Sequence, residues 1–443
     1  MYFDGGATFT DNDARTGVPT SNYGTGVIIR ADGNLTMTNA VVRYGYNDGA
    51  GAGIYCNNSL TSAATFSLTN VTITACYAKD GSAVYFHGTD YHTATMTGCT
   101  VQKCNAQSDV AQGGAIRTNG GVKTSLTLSG CTICNNLSYS QGAGIYWNAS
   151  GLAATKIVIK GDTKIYGNHA TNRGAGIFIE SRMDLQSAEI YENTAVYGAG
   201  IYMCTYGGTA VNFDGQGYNL TVKDGVVIRN NTATGYGGGV YMSINYSDDV
   251  GFNPAGAAIS PEFKLDVVGG EIRNNIAPKG AGVAIMDRAP KRHKNSETNV
   301  WSLEYIRNVY IRGGKIYNNV CTTTSSGTQG AGIFIYKYAD SNIGTGTNQS
   351  GYTYAQAGGA GTMTVSATGG LVYGNASRNN SKNGVGGGLY INNSIPQSPY
   401  NSVCNMTVGG SVEIYDNTSD GNGAGVYIAN GSLTVNGGTV GKS

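Results

Sequence analysis

Short runs in which apolar and polar residues alternate with period two recur along the chain in a fixed order. One kind ends in small residues, as in Leu126-Thr127-Leu128, Leu220-Thr221-Val222, Met363-Thr364-Val365, Met406-Thr407-Val408 and Leu433-Thr434-Val435. A second follows it as Ile165-Tyr166-Gly167-Asn168, Ile190-Tyr191-Glu192-Asn193, Ile316-Tyr317-Asn318-Asn319 and Ile414-Tyr415-Asp416-Asn417, with Ala or Ser usually two residues after the Asn. The third is Gly-Ala-Gly-Ile-Tyr or a close variant, beginning at Gly51, Gly142, Gly174, Gly198 and Gly237, with looser copies from Gly24, Gly81, Gly113, Gly280, Gly330, Gly386 and Gly423. Alternation of this kind marks half-buried strands, so each unit predicts three short strands. Successive third-kind phrases start 24 to 32 residues apart up to Gly198 and 37 to 56 apart beyond it, which is one repeat carrying longer insertions.

Hairpin turns of the Asn-Gly type do not recur at fixed places, so antiparallel neighbours are not expected. The pattern predicts an all-β fold, a right-handed parallel β-helix of about a dozen coils, with each strand lying about 4.8 Å above its counterpart in a rod about 60 Å long. Ile54, Ile145, Ile177, Ile201 and Ile333 are expected to stack in the interior. Asn168, Asn193, Asn231, Asn275 and Asn319 are expected at a bend, where each amide bonds local backbone and the amide of the next coil. Within Gly-Ala-Gly-Ile-Tyr, Ala and Ile should point inward, and the second Gly and the aromatic outward. Cys76 and Cys104 stand where later coils have the Asn, and Cys99 and Cys131 form a second stacked pair; both pairs fall within disulfide range, as thiols or as bridges.

Composition sharpens this picture. Glycine is 69 of 443 residues and charged residues are 12%, so the helix formers that fill exposed helical faces are scarce. The formal net charge is +1, which provides no general field for nucleic acid. No run of about 20 apolar residues is present to cross a membrane, and the N-terminus lacks the pattern of a signal peptide. Both ends fall inside a repeat, so residues 1–443 are expected to form one solenoid, either an excerpt of a longer array or a subunit that stacks end to end.

With Gly113-Gly114-Ala115-Ile116 and the Ile-x-x-Asn repeats, the chain resembles the passenger regions of polymorphic outer-membrane-type adhesins. Those regions carry many copies of Gly-Gly-Ala-(Ile/Leu/Val) and Phe-x-x-Asn on a right-handed β-helix. The resemblance implies an extracellular or surface-displayed rod used for attachment.

Candidate contact residues come from two places. The outward aromatics Tyr55, Tyr85, Tyr146, Phe178, Tyr202, Tyr241, Phe334, Tyr390 and Tyr427 would form a file suited either to stacking or to contact with a glycan or a second rod. The long insertions at 203–220, 243–263, 285–308, 336–361 and 392–404 all follow the third strand and so leave one edge of the rod. The insertion with Arg288, Lys291, Arg292, Lys294 and Trp301 has the residue types to grip an acidic glycan. Catalytic alternatives are thinner. Asn417-Thr418-Ser419-Asp420-Gly421 only approximates the motif of pectin-hydrolysing β-helices, although a polysaccharide lyase or hydrolase stays the alternative reading. The C-terminal Gly438 to Ser443 imitates a phosphate loop without its first glycine or a following helix. Cys131-Thr132-Ile133-Cys134 lies on a strand, where its side chains diverge, and His87, Asp90 and His92 share one polar loop. No cofactor or metal is implied.

Overall fold

A computed structural model describes residues 2–3, 8–9, 28–58, 64–88, 91–107, 113–118, 123–148, 156–205, 218–244, 263–287, 292–294, 301–303, 307–323, 327–337, 362–393 and 403–441. The chain winds as a right-handed parallel β-helix. One coil shows the plan: Lys156–Lys160 lies in a first sheet, Thr163–Tyr166 in a second, His169–Ala170 in a third and Ile177–Ile179 in a fourth. The next coil repeats it with Arg182–Leu185, Ala188–Tyr191, Thr194–Tyr197 and Ile201–Thr205. Among the described residues the pairings between coils are parallel, for example Ile165 with Ile190 and Ile177 with Ile201, with local register shifts at places such as Ala195/Tyr197 and Ile391/Asn392. The fourth sheet has twelve strands and the third eleven among the described residues.

Three of these strand positions are those read from the alternation. The additional one is the short third sheet, formed by the Ala or Ser that follows the Asn. At two to five residues it is too brief to show a period of its own.

Left-handed residues make three of the four corners. The residue just before each bend Asn has positive φ, as in Asn135, Glu192, Asn230, Asn274, Asn318 and Asp416, all between 50° and 55°. Glycines such as Gly174 and Gly198 turn the third strand into the fourth, with φ of 59° and 57°. Asn39, Asn70, Gly98, Gly130 and Gly270 lie between the first and second sheets. Such corners are tight, because one residue in this conformation reverses the twist without room for extra chain. The chain takes its insertions at the remaining corner, after the fourth strand, where the described Gly33 and Gly431 have φ of 147° and 155°. Tight turns at the other three corners leave the insertions to this one edge.

The interior is one continuous core in which Ile54, Ile145, Ile177, Ile201 and Ile333 are fully buried. A second cluster fills the corner between the third and fourth sheets: Ala143, Ala175, Ala199, Ala281 and Ala331 meet Ala170, Ala195, Ala233, Ala277 and Cys321. Small side chains are needed because the two sheets converge there. The second Gly of each phrase faces inward, contrary to the alternation. A Cβ on Gly176 would lie 2.5 Å from the Gly200 carbonyl and 3.2 Å from Asn193 Nδ2. Close approach of coil to coil at the bend therefore demands glycine.

Candidate functional site

The Asn file is the most regular polar element of the rod. From Asn136 through Asn168, Asn193, Asn231, Asn275, Asn319 and Asn375 to Asn417, each Nδ2 donates to Oδ1 of the next amide at 2.9–3.0 Å. Nδ2 also donates to a carbonyl of the preceding coil, as Asn193 does to Ile165 at 3.1 Å, and the backbone N–H of each donates to the same next Oδ1. From Asn136 to Asn375 both Nδ2 hydrogens and the Oδ1 of each amide are used, so these buried amides hold coils together and offer nothing to a ligand.

The aromatic file is placed differently from the expectation. Tyr55, Tyr85, Tyr146, Phe178, Tyr202, Tyr241, Phe334 and Tyr390 do lie outside the coil lumen, but they are only 1–4% exposed, and Tyr427 is partly buried against them. The glycine corner folds the end of the third sheet back over them, so Tyr197, Tyr236 and Val385 pack on the file. Neighbouring rings then cover one another's faces, with Tyr146 and Phe178 at 4.7 Å and 6°, Phe178 and Tyr202 at 5.2 Å and 7°, and Phe334 and Tyr390 at 5.3 Å and 12°. The exposed strip expected from sequence is therefore a second hydrophobic core. Two positions interrupt it. Arg117 lies between Tyr85 and Tyr146, 5.4 and 5.5 Å from their centroids, with Nη1 2.6 Å from Asp80 Oδ1. At Ala284 the missing ring is replaced from the side by Tyr236, 6.0 Å from Phe334, and by Lys279, whose Nζ is 5.9 Å from the same ring.

Of the basic insertion, Arg288 and Lys291 lie outside the described residues. Arg292–Lys294 pairs antiparallel with Trp301–Leu303, which sets Lys294 opposite Trp301 in a small ribbon. His87 Nδ1 lies 3.3 Å from Asn57 Oδ1, and Asp90 is outside the described residues. Cys131 and Cys134 do diverge: Cys131 Sγ donates to the Met96 carbonyl and Cys134 Sγ to Gln102.

An accessible ladder that the sequence reading missed runs along the outer face of the second sheet. From Ile165 to Ile414 it is made by the residue after the core Ile or Val of that sheet: Tyr166, Tyr191, Arg229, Arg273, Tyr317, Tyr373 and Tyr415. Tyr166 stacks on Tyr191 at 4.6 Å, Arg229 caps Tyr191 at 4.1 Å, and Tyr317, Tyr373 and Tyr415 stack at 4.9 and 5.1 Å, both at 3°. Glu189 pairs with Arg229 at 2.5 Å, while Glu271 takes Arg273 and the Tyr317 hydroxyl, each at 3.0 Å. Burial raises the Glu271 carboxyl, but hydrogen bonds from Tyr317 and Lys315 outweigh it and hold the group below its ordinary range. The signal was present in the Tyr of Ile-Tyr-x-Asn, which period two places outside. Beside this ladder a groove of ≈ 460 Å³ follows the first corner. Its floor is glycine backbone at Gly225, Gly270 and Gly314, and its walls carry Asp224, Glu271 and Lys315.

No protein-family model, curated protein or solved structure matches this chain.

The main reactive cluster among the described residues surrounds Glu180, at the end of a fourth-sheet strand. Cys204 Sγ donates to its carboxylate at 3.4 Å, and the Tyr146 hydroxyl and Arg173 also face it. Burial pushes the carboxyl up to about 7, against the pull of Cys204, Arg173 and Tyr146. A carboxyl in this range can exchange a proton near neutrality. Glu180 and Cys204 give two metal-ligand types, fewer than the three protein ligands of a catalytic zinc site.

Proposed function

We propose that the protein is a non-enzymatic β-helical rod displayed outside the cell, a stalk or adhesin segment that carries contact surfaces at a fixed spacing. The observation that carries this reading is the unbroken amide ladder from Asn136 to Asn417, which links successive coils through fully satisfied buried bonds. Such a ladder favours stiffness along the axis over motion about an active site. The insertions leave from one corner, the second sheet offers an accessible Tyr/Arg face, and the corner groove provides carboxylate acceptors for ligand hydroxyls. A glycan of the partner surface is the contact this chemistry suits. The stacked rings present edges and hydroxyl tips, so hydrogen bonding would dominate over stacking on ring faces.

Binding to immobilised glycans by surface plasmon resonance tests the reading. Saturable binding that weakens at least tenfold in Tyr317→Ala combined with Asp224→Ala supports it; no binding to any cell-surface glycan or intact cell surface counts against it. The alternative, a glycan-cleaving enzyme, rests on Glu180. Turnover of a uronate polymer, followed by product absorbance and abolished by Glu180→Gln, would replace the rod reading with that one.

A further inference from the structure

The amide ladder stops at Asn136. In the two preceding coils its position is held by Cys104 and Cys76, and the Cys104 backbone N–H still donates to Asn136 Oδ1 at 3.0 Å. A second thiol file lies at the first corner, Cys99 below Cys131. Register fixes both relationships: Thr74 pairs with Gln102 two residues before the first pair, and Thr97 with Ser129 two residues before the second. Backbone bonds then close directly across them, Asn105 N to Cys76 O at 2.9 Å and Thr132 N to Cys99 O at 2.8 Å. All four cysteines are buried and reduced, and the thiols of each pair are oriented alike, each donating to the carbonyl two residues before it: Cys76 to Thr74, Cys104 to Gln102, Cys99 to Thr97 and Cys131 to Ser129. Adjacent coils hold Cα atoms about 4.8 Å apart, within the range a disulfide spans.

We infer that Cys76–Cys104 and Cys99–Cys131 are two inter-coil disulfide sites that continue the ladder covalently where its asparagines are missing. Cys99 and Cys104 sit on the same coil, so the two bridges would tie three consecutive coils into one unit. The oxidant is a small-molecule disulfide such as oxidised glutathione. One protein thiolate attacks it and releases one glutathione thiol; the second cysteine, losing its proton, displaces the other glutathione from the mixed disulfide. Two electrons and two protons leave each cysteine pair and appear as two reduced glutathione molecules. The remaining cysteines, Cys56, Cys134, Cys204, Cys321 and Cys404, belong to neither pair and stay reduced.

The test is to refold the full chain from denaturant in a glutathione redox buffer, alkylate, digest and map cross-linked peptides by mass spectrometry. Refolding removes the barrier that burial puts in the way of the oxidant. Four of the nine thiols should resist alkylation, with 76–104 and 99–131 peptides linked and the mass lower by about 2 Da per bridge. Cys76→Ser should remove the first link alone and Cys99→Ser the second alone. The oxidised protein should melt several degrees above the reduced one, and the double variant should lose that difference. Nine alkylated thiols after oxidative refolding to native far-ultraviolet circular dichroism, or bridges between other partners, would overturn the assignment.

Discussion

Asn193 uses its whole amide: Nδ2 donates to Ile165 O and to Asn231 Oδ1, and Oδ1 accepts from both N and Nδ2 of Asn168. Replacing it with Ala strands these buried partners at about 1–3 kcal/mol for each unsatisfied group. Asn193→Ala is therefore expected to cost about 3 kcal/mol or more in urea unfolding, and a loss under about 1 kcal/mol would contradict the ladder's role. Glu180 makes a prediction of the opposite sign. Its carboxyl is raised from 4.5 to about 7 in the fold, chiefly by burial, so its charged form is disfavoured there. The contribution it makes to stability is complete below about pH 4.5 and is lost as pH rises through about 7. Glu180→Gln should flatten the fall in melting temperature between pH 5 and 8, and an unchanged pH profile would show that the carboxyl titrates normally.

Among the elements, the Gly-Ala-Gly-Ile-Tyr strand is the most constrained, since each position meets a different surface. Its Ala enters the small-residue wedge, its Ile the main core and its aromatic the outer core. The second Gly sets the distance between coils. Gly200→Ala puts a Cβ 2.5 Å from Gly239 O and 3.1 Å from Asn231 Nδ2. Overpacking against rigid backbone should cost about 1–3 kcal/mol, measurable by thermal or urea unfolding. The outer ladder is under less constraint. Tyr373→Ala removes two stacking contacts, with Tyr317 and Tyr415, on an accessible face and should cost no more than about 1 kcal/mol, leaving circular dichroism unchanged.

Across the whole molecule, the corners divide tolerance to change. Shortening the insertion between the fourth-sheet strand Ile333–Lys337 and the next coil's strand Thr362–Tyr373 leaves the left-handed residues of the neighbouring corners, Asn318, Gly330, Gly370 and Gly374, in place. Its removal with a short linker should preserve the β-sheet circular dichroism and the cooperative unfolding. One extra residue between Glu192 and Asn193 should be far worse, because it shifts the register of the ladder and of the paired strands beyond it. Equal tolerance at the two places, read by expression and melting, would mean that the corners do not govern the fold.

Local sequence was enough to determine the repeat, the parallel stacking of the Ile files and the Asn ladder. Each rests on alternation within a strand and recurrence at a fixed phase, which neighbouring residues reveal on their own. It also placed the insertions on one edge, because their position within the repeat never changes. Burial of the aromatic file was decided by tertiary structure. Period two places Tyr146 and Phe178 outside the lumen, but only the angle at the glycine corner, which brings the third sheet back over them, decides whether outside means solvent. The same holds for the second Gly, whose orientation follows from the closeness of the next coil, and for Arg117, an exposed-looking charge that the rings of Tyr85 and Tyr146 enclose beside Asp80. Alternation reports which side of a strand a residue occupies; what covers that side depends on how far the neighbouring sheet bends.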